Sequence, residues 1–140
     1  LEFSINGRLT DKWNIFGGFS RMSAKQEKTT KGTLDGIRVN GTSEWTAVLG
    51  LEYNPNEAWS VLGRAIYTGR SPVMNEKIWA PGYTIFDLGV THKTHLGKIP
   101  AELSLMVNNV FDKDYWQVSR GNQVYLSLPR TFSFTAKLHF

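Results

Sequence analysis

Alternation of apolar and polar residues with period two runs through most of this chain, and helical spacing of apolar residues is hard to find anywhere. In 44–53, Trp45, Ala47, Leu49, Leu51 and Tyr53 fall on one side, and Glu44, Thr46, Val48, Gly50 and Glu52 on the other. The following segment repeats the scheme, with Trp59, Val61, Gly63, Ala65 and Tyr67 against Ser60, Leu62, Arg64, Ile66 and Thr68. The final stretch is the strictest: Phe132, Phe134, Ala136, Leu138 and Phe140 alternate with Thr131, Ser133, Thr135, Lys137 and His139. Such a chain must build sheet.

The alternation predicts an all-β, antiparallel up-and-down meander of seven long strands, at roughly 2–9, 13–24, 44–54, 58–70, 83–93, 101–110 and 130–140. Strands of about ten residues suit a tilted crossing of a bilayer, whereas strands of soluble proteins are nearer five or six. Residues 10–12, 55–57 and 94–100 read as short turns, and 25–43, 71–82 and 111–129 as long loops. In a meander all short turns then lie at one end and all long loops at the other, the asymmetry of outer-membrane barrels. Asp11-Lys12-Trp13 and Glu57-Ala58-Trp59 rhyme, each placing a Trp directly behind a polar turn, where a bilayer interface favours an amphipathic ring. Trp45, Leu49, Leu51, Trp59, Val61, Leu103, Leu105, Phe132, Phe134 and Leu138 are expected to face lipid. Glu44, Glu52, Arg64, Asp87, Glu102, Ser133 and Lys137 are expected to face a wet interior. Arg21 is the charge that falls on the outward side; either it emerges near the headgroups or a β-bulge shifts the phase.

Composition narrows the function. Lys plus Arg number 16 and Asp plus Glu 12, and the net charge of +4 is scattered rather than gathered into a nucleic-acid-binding patch. There is no cysteine, which excludes a disulfide scaffold, a zinc–thiolate site and a Cys nucleophile. Apolar runs such as 47–51 and 15–19 are far shorter than the ~18 residues of a spanning helix. His92 and His95 sit three apart, but no third ligand stands at a convincing spacing, so a polar turn is the simpler reading. No nucleophile elbow or other catalytic motif is present, and no cofactor is expected; the chain does not read as an enzyme. The start, Leu1-Glu2-Phe3-Ser4, resembles the middle of a strand and suggests a piece of a longer protein.

Several motifs resemble those of TonB-dependent outer-membrane receptors. Asn108-Asn109-Val110-Phe111-Asp112-Lys113-Asp114-Tyr115 is similar to their NNLFDKxY stretch, and Pro129-Arg130-Thr131-Phe132 to their PRTF closing strand. Pro81-Gly82-Tyr83-Thr84-Ile85-Phe86-Asp87-Leu88-Gly89 resembles the strand before them, and Tyr67-Thr68-Gly69-Arg70 the end of the one before that. The Tyr-Trp and PRTF variants look most like ferric-siderophore receptors, the ferrichrome and hydroxamate group in particular. The resemblance implies the last seven strands of a barrel of about twenty-two, whose plug and energy-coupling segment lie elsewhere. The short turns would be periplasmic and the long loops external. Implied partners are a ferric siderophore, TonB through the missing N-terminal part, outer-membrane lipid and the barrel assembly machinery, with Phe140 as the assembly signal. Trp79, Trp116, Arg120 and Tyr125 are the expected ligand contacts, with loop packing as the alternative for each. Asn108, Asn109 and Asp112 to Tyr115 are read as shaping the start of the outer loop through side-chain bonds to backbone, with ligand contact as the alternative. A soluble β-sandwich or lipocalin-like module, a porin or adhesin, and a receptor for haem, cobalamin or sugar are the rivals.

Overall fold

The computed structural model describes residues 1–139, and the expectation for Phe140 lies outside them. Eleven strands form: β1 (Glu2–Arg8), β2 (Trp13–Arg21), β3 (Trp45–Asn56), β4 (Trp59–Thr68), β5 (Ser71–Val73), β6 (Ile78–Ala80), β7 (Tyr83–Leu96), β8 (Ile99–Asn108), β9 (Trp116–Val118), β10 (Val124–Leu126) and β11 (Thr131–Leu138). The seven long ones make one antiparallel sheet in the order β1-β2-β3-β4-β7-β8-β11, with β1 and β11 as its edges. The four short ones pair within the second and third long loops, as β5 with β6 and β9 with β10. These two ribbons were not expected; three residues are too few to show a period.

Residues directly opposite in an antiparallel ladder share a face, so the register assigns every wall side chain. One lateral row runs Leu51, Gly63, Leu88, Val107 and Phe132, and the neighbouring row Glu52, Leu62, Gly89, Met106 and Ser133. The expected lipid-facing set lies together on the first face; Glu52, Arg64, Asp87, Glu102, Ser133 and Lys137 lie on the second. Trp45, Leu49, Leu51, Trp59, Val61, Leu105, Phe132, Phe134 and Leu138 are 39–69% exposed. An apolar face this large left open to solvent needs a covering medium.

Two aromatic bands frame that face. At the short-turn end, Trp13 packs on Tyr53 (ring centroids 4.7 Å) and Trp59 on His92 (4.1 Å). At the loop end, Phe3, Phe19 and Trp45 follow one another at 5.7 and 6.3 Å. From Trp45 to Tyr53 is about 27 Å along the strand, or about 20 Å once tilted, close to the apolar band of a membrane barrel.

The Trp rhyme has a mechanical cause. Thr10 Oγ1 accepts the Trp13 N–H (3.2 Å), and Asn56 Oδ1 accepts the Trp59 N–H (3.1 Å), each fixing the Trp three residues behind a polar side chain. A β-bulge between Tyr53 and Asn56 precedes the second of these turns. The third turn is tighter than 94–100. β7 and β8 extend to Leu96 and Ile99, because Gly97 at φ 65 permits a two-residue reversal.

Arg21 closes β2 in unbroken register opposite Trp45, so no bulge is needed. Its guanidinium lies 5.1 Å from the Trp45 ring and bonds Glu44 (Nε 3.0 Å, Nη2 2.9 Å). Glu44, expected on the wet face, instead stands just before β3 at the rim. It bridges Arg21 and Arg38 (3.0 Å), which also reaches Glu76 (3.4 Å). His92 and His95 fall on opposite faces, as their odd spacing along an extended strand requires, and do not form a metal pair. No group of three potential metal ligands occurs among the described residues.

Candidate ligand-facing mouth

The three long loops pack against one another at one end of the sheet. The Asn75 N–H donates to Asn40 Oδ1 (2.9 Å) and Asn40 Nδ2 returns a bond to Asn75 Oδ1 (3.2 Å). The Gly41 N–H reaches the Pro72 carbonyl (3.0 Å), and the Met74 N–H reaches Asn122 Oδ1 (3.1 Å). First, second and third loops are thus tied, and Asn40, Pro72, Val73, Ala80 and Ser127 are buried among them. Met74, Asn75 and Glu76 all take positive φ, an unusual run that the two asparagine bonds hold in place.

Beneath this cluster, the motif residues lock together. Asp87 is 3% exposed on the polar face of β7. Its Oδ2 accepts from Arg64 Nε (3.1 Å) and Nη2 (2.6 Å), and its Oδ1 accepts the Asn109 N–H (2.9 Å). Asn109 sits at φ 52, and its amide clasps both the N–H and the carbonyl of Lys113 at 2.9 Å. Asp112 Oδ1 accepts the Arg130 N–H (2.7 Å), and Arg130 Nη1 reaches the Val110 carbonyl (3.2 Å), joining the loop's start to the head of β11. Asn109 and Asp112 therefore shape the loop through backbone bonds, as their side-chain chemistry suggested.

Aromatic contacts complete the junction. Phe86 meets Phe111 edge-on at 5.4 Å on the apolar face. On the polar face Tyr83 stacks on Tyr115 (3.9 Å, 24°). Burial pushes the Tyr115 hydroxyl above its ordinary pKa, and the neighbouring Tyr83 adds to the shift. The phenol thus stays protonated, able to donate as well as accept. Below the stack, Val48, Ile66 and Ile85 form an apolar row, and Gly50, Arg64 and Asp87 the next. Ring, greasy strip and guanidinium follow in order down the inner wall.

The four expected contacts are spread over this end of the molecule. Trp116 and Arg120 are exposed, on β9 and in the turn after it. Tyr125 lies opposite Gln117 on the other face of the β9–β10 ribbon from Trp116. Trp79 is elsewhere: it stacks under Arg70 (4.4 Å) and lines a cleft with the outward-facing Trp45 and Tyr67. Tyr83 is not among the expected contacts, and in the sequence Tyr115 reads chiefly as part of the loop-shaping motif. Counting back by twos from Asp87 places Tyr83 inward, but the partnership with Tyr115 depends on the Asn109 clasp.

Residues 1–110 match the family model described as "TonB dependent receptor-like, beta-barrel". The chain is 26% identical over 128 residues to the probable TonB-dependent siderophore receptor PiuA of Acinetobacter baumannii, covering 83% of this chain and 17% of that protein. It is 26% identical over 147 residues to the catecholate siderophore receptor Fiu of Escherichia coli K12, covering 99% of this chain and 19% of that one. The crystal structure of BauA, the ferric preacinetobactin receptor of A. baumannii, superposes with a TM-score of 0.85 at 23% identity, over 98% of this chain and 21% of that one. The chain thus spans about a fifth of the length of these relatives. With its meander, its two-faced wall and its paired aromatic bands, the chain belongs to the TonB-dependent receptor-like β-barrel family of the Gram-negative outer membrane.

Proposed function

We propose that this segment is the C-terminal sector of the barrel of a receptor that binds a ferric siderophore outside the cell and imports it with energy coupled from the inner membrane. The observation that carries the reading is the Tyr83–Tyr115 stack on the polar face, set where the three loops converge and separated by one apolar row from the Arg64–Asp87 pair. Flat rings suit the apolar skirt of an iron chelate, and a protonated phenol suits its oxygens. Trp116, Arg120 and Tyr125 supply further loop contacts. The relatives named above are called receptors for catecholate siderophores and for preacinetobactin. The proposal names the ferric-siderophore class and leaves the chelating group to experiment. Further partners on this reading are TonB, acting on a part of the receptor outside this segment, the surrounding lipid, and the assembly machinery that reads the closing strand toward Phe140.

Titration of the full-length receptor with ferric catecholate and hydroxamate chelates, followed by Trp fluorescence, tests the reading. Tyr115→Ala should weaken the cognate chelate about five- to tenfold, while Phe134→Ala on the lipid face leaves it unchanged. Absence of saturable quenching by any ferric chelate would refute it.

A further inference from the structure

We propose that the outer rim of this sector holds a lipid with an anionic phosphate headgroup, seated at Arg70 with one acyl chain in a notch below. The cleft that contains Trp79 has a volume of about 520 Å³ and is lined by Glu44, Trp45, Tyr67 and Arg70; the Glu44 carboxylate is tied to Arg21 and Arg38. The Trp45 and Tyr67 side chains belong to the apolar face, so the cleft looks out of the barrel and not into it. Arg70 is exposed and has no carboxylate partner among the described residues. Its guanidinium rests on the Trp79 ring, which holds the fork in place and leaves its N–H donors unspent. The other rim arginine over an aromatic ring, Arg21, is already neutralised by Glu44. Arg70 is therefore free to take an anion, and a planar fork matches phosphate oxygens.

What makes the anion a lipid is the surface beneath. Farther from the rim, four residues on from Trp45 along β3 and two from Tyr67 along β4, the apolar face is indented by a groove of about 300 Å³ bounded by Leu49, Leu51, Ala65, Leu88 and Phe111. Gly63 creates the indentation: a Cβ there would meet only Leu88 Cδ2, at 3.7 Å. The Ala47–Tyr67 pair links cleft and groove on one face, so a headgroup at Arg70 delivers its chain into the groove. A soluble phosphate would gain nothing from the groove, and a purely apolar molecule nothing from Arg70. The site is separate from the inner-wall mouth, and it stands whether or not that mouth binds a siderophore.

Native mass spectrometry of the full-length receptor, supplied with phosphatidic acid or with phosphatidylcholine of identical chains, tests the site. Wild type should retain phosphatidic acid in preference. Arg70→Gln should lower its retention about tenfold and erase the preference. Gly63→Leu, whose Cβ would meet only the Leu88 side chain, should lower retention of both lipids. Millimolar inorganic phosphate should displace neither, and ferric-chelate affinity should be unchanged in both variants. Equal retention by wild type and Arg70→Gln, no effect of Gly63→Leu, or displacement by inorganic phosphate would each overturn the proposal.

Discussion

The wall and the loop cluster are held together by opposite means. Wall strands present large apolar side chains that no other part of the described chain covers, and their order comes from ladder hydrogen bonds. The loops hold most of the buried residues, yet their ties are polar: Asn40 to Asn75, Asn122 to Met74, Asn109 to Lys113, Asp112 to Arg130. The difference follows from the solvent. In lipid, every backbone group of the wall must be satisfied by a neighbouring strand, and the bilayer acts as the second layer that a soluble sheet would need. Outside the bilayer, long segments without a regular ladder must satisfy their backbone one side chain at a time.

A charge on the lipid side should break the wall most severely. Leu51 stands in the middle row of the apolar face, and Leu51→Arg should destabilise the receptor by about 2–4 kcal/mol, the cost of a cation near the bilayer midplane. Glu52→Arg, one residue on and facing the wet interior, should cost less than about 1 kcal/mol, the scale of its bond from Ser60. Unfolding of the full-length receptor in lipid vesicles with denaturant measures both. Comparable losses would mean that the two faces do not meet different solvents.

Asp87 sits where the two regions join. Asp87→Ala strips Arg64 of its partner and leaves the Asn109 N–H without an acceptor. Arg64 is one-third exposed, so water recovers part of the loss, and about 2–3 kcal/mol is expected. Asp87→Asn keeps an acceptor for Asn109 and should recover about 1 kcal/mol of that. Hydrogen exchange adds the sharper readout: amides of 109–115 should lose protection before those of β3 and β4. Uniform loss across the wall would show that Asp87 supports the ladder rather than the loop.

How legible each region was follows from the same contrast. A sheet between two solvents writes its faces into the sequence, so alternation placed Leu51 and Glu52 correctly without any contact being known. It misjudged the reversal at Gly97–Lys98, because His95 and Pro100 look like turn residues. In the sheet, the Pro100 carbonyl still accepts the His139 N–H (3.0 Å), and the strand continues through it. The loops carry no period, so β5, β6, β9 and β10 left no trace. The family-like motifs marked Asp87, Asn109, Asp112 and Arg130 as notable, but their meeting comes from three separate strand ends that only the fold brings together. Trp79 and Tyr115 show the limit: both are loop aromatics, and nothing in the sequence tells which one turns toward lipid and which toward the mouth.

The smallest expected effect concerns the first loop, whose order should depend on acid while the wall's does not. The Thr29 backbone N–H and hydroxyl both donate to Asp35 Oδ1 (2.8 Å each), and these bonds hold the carboxyl below its ordinary range. Glu44 is lowered as well, chiefly by its bond from Arg21 and then by the nearby charge of Arg38. A carboxyl whose pKa is depressed in the folded state contributes stability that is fully present above its unfolded value. That contribution disappears as pH falls through the lower folded value. Asp35 is exposed and Glu44 is half-buried, both outside the wall strands, so the effect is confined to local order and is weakened by salt. On acidification below about pH 4, amides of 26–37 should exchange faster and the segment should become open to pepsin, while β3, β4 and β7 keep their protection. Asp35→Asn should remove most of the pH dependence at 29–36, and Arg21→Gln that at 38–44. A first loop equally protected at pH 3 and pH 6 would mean that the asparagine ties to the second loop carry its order alone.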